Sequence, residues 1–167
     1  MEHSVCHVVL PGTYDPVTLG HLDVIKRASR LFAHVTVGVA ASRSKRGVGT
    51  TFSLGERVAM IEEALVEVGL EHVEVLPFEG LLVDFCREVG AGGVVKGLRA
   101  MTDFEFELQQ ADLNAHLAPD LESVFIMASP EYGYVSSSIV RELASLGSSV
   151  STLVPACVER RLKEHFA

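Results

Sequence analysis

Residues 5–21 read VCHVVLPGTYDPVTLGH, and the fold turns on them. Val5–Leu10 is a short apolar run rich in β-branched side chains, and it stops at Pro11-Gly12, as a buried strand does. From Gly20 to Phe32 the apolar residues Leu22, Ile25, Ala28, Leu31 and Phe32 recur at helical spacing. A buried strand, a loop bearing glycine and proline, and an amphipathic helix therefore follow one another directly. That is the opening of a parallel α/β sheet.

The alternation continues along the chain. Further strands are expected at Val35–Ala41, at Val73–Phe78, from Val94-Val95 into Lys96, and at Ser123–Ala128. Ser53 and Glu56 stand three apart, as in a capping box, and open a helix to about Val68. Leu81–Val89 forms a short helix closed by glycines at 90, 92 and 93. Asp103–Leu117 is a helix stopped near Pro119, Ser136–Leu146 another, and Pro155 starts the last. No repeat or low-complexity tract interrupts this order. The expected fold is a single α/β domain over residues 1–167, a Rossmann-like parallel five-stranded sheet flanked by helices.

Composition narrows the function. The 167 residues are 48% hydrophobic and 22% charged, which excludes a disordered chain. A net charge of −8 argues against broad binding to nucleic acid or an anionic membrane. Cys6, Cys86 and Cys157 are scattered and form no CxxC, so neither a disulfide framework nor a zinc site is expected. No apolar run is long enough to span a bilayer, and MEHSVCHVV lacks the plan of a signal peptide. The expectation is a soluble cytoplasmic protein.

In a parallel sheet, ligands bind beyond the carboxyl ends of the strands. Here the loops at those ends are Pro11–His21, Ser42–Thr51, Lys96–Asp103 and Ser129–Ser138. In the first, Gly12 and Gly20 remove side chains that would block a close approach, and His21 at the helix start can donate to a phosphate oxygen. Read plainly, it is a turn with a capping histidine. It is neither the G-x-G-x-x-G fingerprint nor a Walker A loop. Arg43, Lys45 and Arg46 make the second loop basic, which ordinarily means a solvated, mobile segment. Lys96 and Arg99 stand at a strand end, where a structural salt bridge to Glu105 or Glu107 is the alternative to anion binding. Ser136-Ser137-Ser138 is an N-cap on its face, and a helix N-terminus is also a phosphate site.

Taken in order, these segments resemble one family. Thr18-Leu19-Gly20-His21 resembles the T/H-x-G-H signature of the nucleotidylyltransferase superfamily. Gly12-Thr13-Tyr14-Asp15-Pro16, Ala41-Ser42-Arg43-Ser44-Lys45, Lys96-Gly97-Leu98-Arg99-Ala100, Asp103-Phe104-Glu105-Phe106-Glu107 and Val135–Glu142 resemble the phosphopantetheine adenylyltransferase family. The resemblance implies transfer of an adenylyl group from ATP to 4′-phosphopantetheine, with Mg²⁺ on the triphosphate. It also implies a homohexamer and feedback inhibition by coenzyme A. It assigns His21, Lys45, Lys96 and Arg99 to catalysis, and Thr13, Lys45, Leu82 and Lys96 to the acceptor. For ATP it implies Thr13, Tyr14, His21, Gly97, Leu98, Arg99, Glu107, Tyr132, Gly133, Tyr134, Val135, Ser136, Ser137 and Ser138.

Two positions depart from the family pattern. Lys96 stands where many members carry arginine, which keeps the charge and loses the planar fork. Tyr132 stands where tryptophan is frequent. His34, His72, His116 and His165 match no functional position.

No Ser-His-Asp set, G-x-S-x-G elbow or H-E-x-x-H helix is present. Direct attack by an already ionised phosphate fits that absence. Two other readings stay open. One is a nucleotidylyltransferase acting on nicotinamide mononucleotide or a phosphorylated alcohol. The other is a non-catalytic nucleotide-binding regulator.

Overall fold

The computed structural model of the chain describes residues 5–41, 49–99 and 101–167. Strands and helices alternate as β1 (His7–Gly12), α1 (Leu19–Leu31), β2 (His34–Ala40), α2 (Leu54–Glu67), β3 (Glu74–Phe78), α3 (Leu82–Val89), β4 (Gly93–Leu98), α4 (Met101–Leu117) and β5 (Glu122–Met127). A 3₁₀ turn at Pro130–Tyr132 then leads to α5 (Ser137–Ser145) and α6 (Ala156–His165). The five strands form one parallel sheet in the order β3-β2-β1-β4-β5.

Alternation along β1 divides the core between the two faces of this sheet. Val8 and Leu10 join Val35, Val37 and Val39 against α1, α2 and α6, through Ile25, Ala28, Met60, Ile61, Val158 and Leu162. Val9 points the other way, with Val94, onto Val83, Phe85 and Cys86 of α3. Ile25 is wholly buried, and burying a side chain of that size stabilises the fold by about 2 kcal/mol. Gly38 of β2 lies under Phe85, where an added Cβ would stand 2.9 Å from the ring. The sheet therefore needs a glycine there for α3 to seat.

The expected architecture is the observed one, with three adjustments. β1 begins at His7 and runs through Gly12, so Pro11 and Gly12 belong to the strand. β4 runs to Leu98 and carries Lys96 and Gly97 within it. The edge strands β3 and β5 are only partly covered, with Glu74, Pro77, Glu122 and Met127 exposed, so two-sided burial holds for the central strands alone. Among the described residues no helix is long and apolar enough to cross a membrane.

The direction of winding reverses between β1 and β4. From β1 the chain moves outward to β2 and β3, then returns to the other side of β1 as β4 and β5. Such a switch point opens a crevice at the carboxyl ends of the two strands.

Candidate active site

A cleft of about 350 Å³ occupies that crevice. β1 supplies Leu10 and Gly12, β4 supplies Lys96 and Gly97, α1 supplies Gly20 and His21, and the start of α5 supplies Ser136, Ser137 and Ser138.

The turn into α1 fixes the state of His21. Thr18 is the N-cap and His21 the third helical residue, and they form a reciprocal capping box. The Thr18 amide donates to His21 Nδ1 at 3.0 Å, and the His21 amide donates to Thr18 Oγ1 at 3.3 Å. An amide can only donate, so Nδ1 accepts and the ring proton resides on Nε2. Desolvation, and secondly the positive charge of Arg99, lower the imidazole pKa to about 4. His21 is thus neutral near pH 7 and presents an N–H to the cleft.

Tyr14 supports the ring from beneath, edge-on, with centroids 4.9 Å apart. It is buried, takes a left-handed φ of 51°, and donates its hydroxyl to the Leu10 carbonyl at 2.9 Å. Burial pushes its phenol pKa well up. This arrangement corrects the reason for Gly12. A Cβ there would stand 2.9 Å from the Tyr14 ring, so the glycine admits Tyr14. A Cβ at Gly20 would meet Tyr132 at an ordinary 3.5 Å.

The two cations on and after β4 are both partnered. Arg99 binds Asp103 through Nε at 3.2 Å and reaches the Val135 carbonyl at 2.9 Å, tying β4 to the segment before α5. Lys96 Nζ stands 3.4 Å from Glu107 Oε2. The salt bridge expected of this pair of cations is therefore present for Lys96, while Arg99 takes Asp103 in place of either glutamate. Glu107 Oε2 is buried and has no hydrogen-bond partner.

Ser136 caps α5, its Oγ accepting from the Ile139 amide at 3.2 Å. The first amides of the helix have no acceptor within it and sit at the positive end of its dipole. Ser137 Oγ donates to the Pro16 carbonyl at 2.8 Å, fastening the serine turn to the first loop.

Several sequence-assigned residues lie elsewhere. Thr13 is exposed and Tyr134 is 64% exposed, and neither lines the cleft. Leu98 is buried, and its carbonyl accepts from the Ala128 amide. Gly133 closes the 3₁₀ turn. Leu82 begins α3 and packs against the second core cluster. Tyr132 and Val135 do line the cleft. Lys45, with Arg43 and Arg46, lies outside the described residues.

Three residues hold the loops: Asp15 and Arg141, which the sequence motifs contain without a role, and Arg57, which they do not contain. Arg57 is 2% exposed. Its guanidinium donates to the carbonyls of Phe52 at 3.2 Å, Thr13 at 2.6 Å and Ala40 at 2.9 Å. Asp15 is buried and accepts from the amides of Thr51 and Phe52 at 2.8 and 3.0 Å. Arg141 donates to the Asp15 carbonyl. The readable signal was Arg57 itself, a charge one turn before Ile61 on the apolar face of α2.

The sheet order and its crevice place the chain in a defined class. It matches the Cytidylyltransferase-like family over residues 9–143. It is 52% identical over 167 residues to the phosphopantetheine adenylyltransferase of Rubrobacter xylanophilus, covering 100% of this chain and 96% of that protein. It is 46% identical over 158 residues to the phosphopantetheine adenylyltransferase of Xylella fastidiosa, covering 95% and 94%. The chain belongs to the phosphopantetheine adenylyltransferase family. Its fold is also that of a putative nicotinate-nucleotide adenylyltransferase from Vibrio parahaemolyticus, with a TM-score of 0.70 at 18% identity, covering 96% of this chain and 93% of the other.

Proposed function

We propose that the chain transfers the adenylyl group of ATP to 4′-phosphopantetheine, giving dephospho-coenzyme A and diphosphate. Whole-length identity to two phosphopantetheine adenylyltransferases supports the acceptor. The observation that carries the chemistry is the neutral, N–H-presenting His21 facing the crevice between β1 and β4.

In this reading a phosphate oxygen of the acceptor attacks the α-phosphorus of ATP. A new P–O bond forms as the bond to the β-phosphate oxygen breaks, and diphosphate leaves opposite the nucleophile. The acceptor is already ionised, so no side chain has to remove a proton. The protein's task is alignment and charge stabilisation. His21 donates from Nε2 to the transferring phosphate. Lys96, with Lys45, holds the acceptor phosphate, and the Thr13 hydroxyl orients it. Arg99 and the serine turn at 136–138 take the leaving phosphates, while Tyr132 and the backbone of 97–98 and 133–135 flank the nucleotide. Tyr14 acts from below His21, and Leu82 borders the pantetheine arm.

Mg²⁺ belongs to this reading as an ion carried by the triphosphate. Among the described residues no three His, Cys, Asp or Glu side chains converge on one point. The carboxylates of the cleft, Asp103 and Glu107, are paired with Arg99 and Lys96.

A homohexamer is part of the proposal. Phe104, Phe106, Leu108, Leu113 and Leu117 on α4 are all exposed in the single chain, which is more apolar surface than one helix ordinarily leaves in water. Coenzyme A, which carries both pantetheine and adenylyl parts of the product, is proposed as a feedback inhibitor, and the cytoplasm as the place of work. The test is release of diphosphate from ATP and Mg²⁺ with 4′-phosphopantetheine, nicotinamide mononucleotide or a phosphorylated alcohol as acceptor. Turnover confined to the first supports the proposal. Turnover with another, or none, rejects it.

A further inference from the structure

Lys96 is not a free cation waiting in the cleft. It projects from β4, its side chain 28% exposed, and stands 3.4 Å from a Glu107 carboxylate that is 17% exposed. The carboxylate oxygen nearest the ammonium is buried and receives no hydrogen bond from any group. Both residues line the cleft. Arg99, the neighbouring cation, binds Asp103 and the Val135 carbonyl and makes no ion pair with Glu107.

Two opposite charges this close cancel much of each other's field at a third point. An ammonium is a point charge with three donors and can be approached by a second acceptor. A phosphate arriving at Lys96 therefore meets an ammonium already half-neutralised, and a carboxylate of its own sign beside it. The pair is also poorly made, because the geometry supplies attraction without a hydrogen bond. Glu107 is thus held near Lys96 at a cost to its own solvation that only the charge offsets.

We propose that Glu107 is a positioning residue that sets how strongly Lys96 attracts the acceptor phosphate, acting as a counter-ion that weakens the site. The proposal rests on the adenylyltransferase reading given above and deepens it by naming the residue that tunes phosphate affinity. It concerns the phosphate end of the acceptor alone. A ligand with the same pantetheine arm and no phosphate is indifferent to the change.

The test is binding by calorimetry of 4′-phosphopantetheine, and of pantetheine without the phosphate, to the full-length chain and to Glu107→Gln. Glutamine keeps the shape and removes the charge. The phosphorylated ligand is expected to bind at least threefold more tightly to the variant, with pantetheine unchanged. The KM for 4′-phosphopantetheine should fall by a similar factor, while the KM for ATP does not fall. In a Lys96→Ala background the gain from Glu107→Gln should shrink to what removing the like-charge repulsion supplies, because the share that runs through Lys96 is gone. An undiminished gain without Lys96, an equal fall in both KM values, or weaker acceptor binding in Glu107→Gln overturns the proposal. Failure of the unaltered chain to bind 4′-phosphopantetheine would reject the adenylyltransferase reading, and this proposal with it. Tight binding without the glutamine effect rejects this proposal alone.

Discussion

The backbone amide of Thr18 donates to Nδ1 of His21 at 3.0 Å, and this single bond decides what the histidine can do. With Nδ1 occupied as an acceptor, Nε2 carries the proton. A general base at Nε2 is excluded in that tautomer, while donation to a phosphate oxygen is favoured. The bond is made by the main chain, so it is built into the turn and does not depend on the Thr18 side chain.

His21→Ala should therefore lower kcat by roughly 10²–10³, the loss expected when one preorganised donor to a developing charge is removed. Substrate KM values should move much less. Steady-state kinetics on the folded variant checks this, and near-normal kcat removes His21 from the chemistry.

The same residue gives stability a pH dependence. The folded pKa of about 4 lies below the 6.5 of an ordinary solvated imidazole. Between those values the unfolded chain binds a proton that the folded chain does not. The contribution of His21 is complete above about pH 6.5 and is lost as the pH falls toward about 4. Urea unfolding across this window should show the decline in the parent chain and a shallower decline in His21→Gln. Equal slopes would place the ring in a wetter site than the one described.

Arg57→Met should destabilise the fold by about 3 kcal/mol or more, because it leaves the carbonyls of Thr13, Ala40 and Phe52 without their shared donor. Equilibrium unfolding measures this. A loss under about 1 kcal/mol would mean that water replaces the guanidinium freely.

The architecture was legible because burial and periodicity are local. VCHVVL reads as a covered strand, which the structure places from His7 onward, and the Ser53–Glu56 box marks its helix, with Ser53 N donating to Glu56 Oε2 at 2.8 Å. The ligand-side loops followed from strand direction alone. What stayed hidden depends on contacts distant in sequence. In the sequence Gly12 looks like room for a ligand, yet the room is taken by Tyr14, two residues away and at a positive φ. Arg57 gathers carbonyls from three separate segments, and no spacing rule announces such a convergence. The partner of Lys96 was among the residues anticipated, whereas Arg99 pairs with Asp103, four residues on, in place of either glutamate.

Gly12→Ala tests the reassigned glycine. The added methyl meets the Tyr14 ring at 2.9 Å, and relief requires moving a buried side chain that supports His21. A stability loss of about 1–3 kcal/mol is expected, with a fall in kcat. A second change, Tyr14→Leu, should restore part of the stability and none of the rate. Full activity in Gly12→Ala would show that the ring yields easily.

Thr13 is exposed, and Arg57 holds its backbone carbonyl, a contact that a change of side chain leaves in place. Thr13→Val should leave folding and ATP affinity intact while slowing single-turnover transfer by at least roughly tenfold, or ~1.4 kcal/mol. Thr13→Ser should recover much of the rate. Equal rates in the two variants would deny the hydroxyl any orienting role.

Adenylyl transfer to the phosphate of phosphopantetheine is read out by product analysis. The chain is incubated with ATP, Mg²⁺ and 4′-phosphopantetheine, diphosphate is followed by a coupled assay, and the organic product is weighed by mass spectrometry. Diphosphate and dephospho-coenzyme A should form in equal amounts, with no diphosphate when the acceptor lacks its phosphate. Binding of ATP without diphosphate release, or release that leaves the acceptor's mass unchanged, would contradict that transfer.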